Sequence, residues 1–184
     1  MTGGLKIVGL CVIAAVGYGV LHDQITARLC IEYFTIGHRR MHPSDSPTIH
    51  GLIWGVRATW WVGVGLGIPL AIAARFGPGR KRAAGQFVRP LGWVLATAAA
   101  FAVSGGLIAW WRASAGLDRL SGRLATRVPD AEHVDFLTCL GIHRGSYLGA
   151  AIGGLTLILW VLRSRWKIVA REDPIHAVHT TPGS

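Results

Sequence analysis

The chain has 184 residues, of which 51% are hydrophobic and only 15% charged, and its formal net charge is +10. That length holds one compact domain, and so apolar a composition argues against an ordinary water-soluble globule. The apolar residues fall in long blocks and the basic ones gather between and after them, a distribution that argues against a nucleic-acid footprint and for contact with a bilayer.

The first block is residues 5–21, LKIVGLCVIAAVGYGVL, with Lys6 as its single charge. Backbone polar groups in hydrocarbon must be satisfied within their own segment, so each block is read as a helix. Lys6 before an apolar run also resembles a signal peptide, but no small-x-small cleavage site follows and the span is read as retained. Directly behind it comes HDQITARLCIEYFTIGHRRMH, residues 22–42. No Gly or Pro falls between Val20 and Ile36, so the first helix is expected to continue beyond the bilayer to about Ile36, with Gly37 ending it. HRRMHPSDSPTIH then reads as an irregular loop.

The second span covers residues 50–74 and is broken only by Arg57, about 10 Å along the helix from His50 at 1.5 Å per residue. His50, Trp54, Arg57 and Trp61 share one face of it. The loop at 75–90 carries five Arg or Lys and no acid, the densest basic segment of the chain, which puts both termini on the cytoplasmic side of the membrane. The third span covers residues 91–111. In the connection 112–144, Leu117, Leu120, Leu124 and Val128 form one stripe and Arg119, Arg123 and Arg127 another, the pattern of an amphipathic helix lying on a membrane surface. Asp135, Cys139 and His143 follow at i, i+4 and i+8 and share a face if helical. The fourth span covers residues 145–162. Gly141, Gly145, Gly149 and Gly153 recur every four residues, and Gly51 with Gly55 and Gly63 with Gly67 repeat the spacing in the second span, as helices that approach closely in lipid require. This glycine face is the expected contact for a membrane-protein partner or a second copy. Residues 1–171 are read as a single membrane domain and 172–184 as a disordered tail. The expected fold is all-α, a four-helix transmembrane bundle whose first helix projects from the bilayer.

Six of the eight histidines lie on the outer side, a concentration that is the main chemical signal. Three readings compete. In the first, a transition metal or a haem is held by residues drawn from His22, Asp23, Glu32, His38, His50, Asp135 and His143, where converging helix ends supply imidazole and carboxylate ligands. No tightly spaced HxxxH or ExxH pair supports it. In the second, His22 or His143 is a general base, with Ser146 as the one serine nucleophile to test; no nucleophile elbow, HExxH, phosphate loop or dinucleotide fingerprint accompanies them. In the third, which the sequence favours, the cluster is structural: Asp23, Arg28, Glu32, Arg57 and Asp135 form an ion-pair network at the mouth of the bundle, in an assembly or interaction protein. Cys30 and Cys139 fall on the same side, and a disulfide between them is chemically permitted there.

GYGVLHDQITARLCIEYFTIGH, residues 17–38, resembles a family of uncharacterised bacterial integral membrane proteins with a YGxxHDQxTARxCxEYFTxGH-like stretch. The resemblance covers about an eighth of the chain. It implies a multi-pass protein of the bacterial cytoplasmic membrane and no particular chemistry.

Overall fold

The structure, a computed structural model, describes residues 2–77 and 79–172, with side chains placed as far as residue 165. The expected tail, apart from the helical backbone of Glu172, lies outside the described residues. The helices are α1 (Thr2–Leu29), α2 (Glu32–Thr35), α3 (Pro47–Arg75), α4 (Val88–Ser114), α5 (Gly122–Arg127) and α6 (His133–Glu172), with 3-10 turns at Ala84–Phe87 and Asp130–Glu132. No strand occurs among the described residues. The protein is an all-α bundle in which α1, α3, α4 and α6 are long and apolar enough to cross a membrane.

Local chemistry sets the helix ends. Pro47 opens α3 where its missing N–H costs nothing, and Gly116, at φ 69°, turns the chain out of α4. Two expectations change. The first helix stops at Leu29 rather than Ile36: the chain bends at Cys30 and Ile31, and the short α2 buries Tyr33 and Phe34 in a cluster with Val128, Phe136 and Cys139. The amphipathic helix in the second outer connection is only Gly122–Arg127, because Gly122 at φ 58° breaks the run before it. Leu120 and Leu124 pack against the same cluster, which includes Val128, while Leu117 is exposed, so three of the four stripe residues cover protein.

Glycine decides which helices pair. α1 runs antiparallel to α3, and a Cβ at Gly55 would lie 2.5 Å from Val20 Cα, one at Gly63 2.5 Å from Val12 Cα. No atom fits at that distance, so only glycine lets these backbones meet. The second seam joins α4 to α6, where a Cβ on Gly149 would lie 2.7 Å from the Thr97 carbonyl and one on Gly145 would collide with the Phe101 carbonyl. This corrects the expected partner surface. The face of Gly141, Gly145, Gly149 and Gly153 is covered by α4 of the same chain and is not open to a partner or a second copy.

The bundle is therefore two tight helix pairs, α1/α3 and α4/α6, joined by fewer contacts. At the basic end they meet through Ile7, Leu70, Phe87, Leu91 and Val161. Arg165, 3% exposed, reaches from α6 to the carbonyls of Ala73 (2.6 Å), Phe76 (2.5 Å), Gly77 (3.0 Å) and Gly79 (3.3 Å). The outward faces carry exposed Ile13, Leu52, Ile72, Val103, Leu107 and Leu155, the apolar surface a bilayer covers.

Candidate functional site

At the opposite end the last two turns of α1 face α6 and bring three of the ligand-type residues together. Asp23 is 4% exposed, and its Oδ1 lies 2.9 Å from His22 Nδ1 and 3.2 Å from His143 Nε2. His22, Asp23 and His143 each offer a ligand atom within 4.8 Å of the others. The two imidazoles meet edge to face, with centroids 4.7 Å apart. Tyr33 stacks on His143 at 4.5 Å and 27°, and Tyr18, one helical turn before His22, lies 5.6 Å from its ring. Burial pushes the Tyr33 phenol above its ordinary pKa, so it stays neutral.

The hydrogen bonds constrain the protons. His143 Nδ1 lies 2.8 Å from the carbonyl of Cys139, one turn back on α6, and a carbonyl only accepts, so Nδ1 carries the hydrogen. Nε2 then faces the Asp23 carboxylate, a second acceptor. Two lone pairs do not settle at that distance without a cation between them, so the contact requires a proton or a metal ion. His22 Nε2 is buried with no hydrogen-bond partner, a position that has a cost unless something binds there.

The other candidates lie elsewhere. His38 Nδ1 donates to the Tyr33 carbonyl at 2.8 Å and its ring packs 4.8 Å from Trp54. His50 is fully buried, with Nε2 2.8 Å from the Ser44 carbonyl. Asp135 is half-buried one turn before Cys139 and belongs to neither candidate metal group. Glu32 joins Cys30 and Glu132 in a separate group with ligand atoms within 4.8 Å, and Cys30 Sγ donates to its carboxylate at 3.6 Å. Ser146 Oγ pairs with the Tyr18 hydroxyl at 3.0 Å rather than with a histidine. Cys30 and Cys139 are neighbouring buried free thiols, and Cys139 Sγ donates to the Thr26 carbonyl at 3.4 Å.

The expected acid–arginine network does not form among the described residues. Arg28 donates to the Gln24 carbonyl at 2.6 Å, Gln24 Oε1 at 2.7 Å and Thr48 Oγ1 at 2.9 Å, tying α1 to the start of α3. Arg57 is exposed, with its guanidinium 6.0 Å from the centroid of Trp54. Among the described residues Asp23 is met by the imidazoles of His22 and His143 and by no arginine.

A cavity of about 480 Å³ opens beside the group, lined by Asp23 and His143 together with Tyr33, His38, Trp54 and Arg57. Its volume is that of an ordinary small-molecule site. Trp54 was placed from sequence on one face of the second span with His50, Arg57 and Trp61, whereas nothing in the spacing pointed to Tyr33 and Phe34, which the bend after α1 brings in. No family model, curated protein or solved structure matches the chain.

Proposed function

We propose that this multi-pass membrane protein binds a divalent transition-metal ion through His22, Asp23 and His143. The observation that carries the reading is the contact between His143 Nε2 and Asp23, which brings two acceptors together and calls for a cation. Two imidazoles and one carboxylate suit zinc, iron(II) or manganese(II) and leave coordination positions open. The hydrogen bond from His143 Nδ1 to the Cys139 carbonyl is the outer support that metal-ligating histidines need to fix tautomer and ring orientation. A single ion fits better than haem, since rings with centroids 4.7 Å apart that aim at one carboxylate leave no slot for a porphyrin. The adjoining cavity gives a substrate access to the open positions, which favours Lewis-acid chemistry over a metal-free base.

Elemental analysis of the detergent-purified protein tests this: one metal ion per chain is expected, lost in both His22→Ala and His143→Ala. Metal-free protein that cannot be loaded, with both variants merely less stable, would overturn it. That result would leave the structural reading, which has its own support: the same group joins α1 to α6 with a proton in place of the metal. The stretch that resembles bacterial membrane proteins, residues 17–38, contains His22, Asp23, Tyr33 and His38. With the dense basic loop it supports a bacterial cytoplasmic membrane, both termini inside and the site at the outer face.

A further inference from the structure

A second cavity, of about 450 Å³, lies between the two helix pairs at the depth of the hydrocarbon, walled by Ala14 and Ala15 of α1, Val62 of α3, Ala98 of α4 and Ala150 of α6. Small side chains leave this gap because the glycine seams draw the backbones together within each pair and not between them. The cavity's lining is mostly apolar, with Tyr18, Thr59 and Ser146 among its polar members. It meets the first cavity at Trp61 and Tyr147, which line both and stack with centroids 6.4 Å apart. The combined space is mostly apolar along its length and polar at its mouth, the form of an amphiphile.

The mouth carries a charge that no carboxylate among the described residues offsets. Asp23 is met by two imidazoles, whereas Arg57 pairs with no carboxylate among the described residues. Arg57 stands roughly 27 Å along α3 from Arg75 at the basic end. That separation nearly spans a hydrocarbon core of about 30 Å, so the guanidinium reaches the opposite headgroup level. We infer that the cleft between the helix pairs binds one acyl chain of an anionic phospholipid, with its phosphate against Arg57. The inference rests on the cleft and Arg57 and is independent of whether a metal binds.

Native mass spectrometry of the full chain, equilibrated with phosphatidylglycerol or phosphatidylcholine of identical chains, tests it. The wild type is expected to retain one lipid and to prefer phosphatidylglycerol by roughly fivefold, the effect of one basic side chain at a membrane surface. Arg57→Gln should abolish the preference and keep the chain bound. Ala150→Phe should displace the lipid at unchanged unfolding temperature, and Val62→Phe blocks the opposite wall if that variant does not fold. Equal retention of the two lipids by the wild type, or undiminished retention in a folded cleft-blocked variant, would overturn the inference. Metal content measured on the same samples keeps this outcome apart from the fate of the metal reading.

Discussion

Two buried charges sit at opposite ends of this bundle and are handled differently. Arg165, at the basic end, donates to backbone carbonyls of the chain leaving α3, dipoles that neither titrate nor exchange. Asp23, at the other end, is met by two imidazoles, groups that can release a proton and accept a metal. A charge kept for architecture is best met by fixed dipoles; a charge surrounded by titratable ligands beside a cavity is suited to binding.

The sharpest way to break this contrast is to exchange the consequences of losing each charge. Arg165→Met should cost about 3 kcal/mol, since it leaves buried carbonyls without donors, and should leave metal content per folded chain unchanged. The check is denaturant unfolding in detergent beside elemental analysis. Asp23→Asn should do the reverse, weakening metal binding by about 100-fold while the bundle stays folded, as titration with zinc would read. If the two variants lose stability and metal in equal proportion, the ends do not differ in kind. Proton competition sharpens the comparison. Imidazole must be neutral to bind metal, so protons compete with the ion and affinity should fall on acidification, equally in wild type and Arg165→Met. The smallest effect expected is that of Tyr33→Leu, which removes the ring stacked on His143 at a cost of about 1 kcal/mol, read as a shift in unfolding midpoint.

The four apolar blocks were legible because a bilayer imposes length and composition on each helix separately. The glycine repeats were legible as close-packing surfaces, but what they pack against was not, since spacing within one helix does not name its neighbour. The same limit applies to the site. His22 and His143 stood out by residue type, yet their meeting at Asp23 depends on the relative height of α1 and α6, which contacts among all four long helices set. His38 and His50 stood out equally and instead find nearby carbonyls, of Tyr33 and Ser44, only five and six residues away in the chain. Local satisfaction of that kind arises from loop geometry, which hydrophobic periodicity does not encode. The bend at Cys30 and Ile31 was hidden for a related reason: helix propensity runs through it, and burial of Tyr33 and Phe34 overrides it.

The loose joint between the two helix pairs has a mechanical meaning. Each pair is zipped along its length by glycine, so each behaves as a stiff board. Between the boards lies the alanine-lined cleft, with Arg165 reaching across to Ala73 at one end and Asp23 meeting His143 at the other. Both buried charges thus work as clasps. The clasp at the basic end is made to carbonyls that do not titrate and the other to imidazoles that do, so the two ends of the cleft are closed by different chemistry.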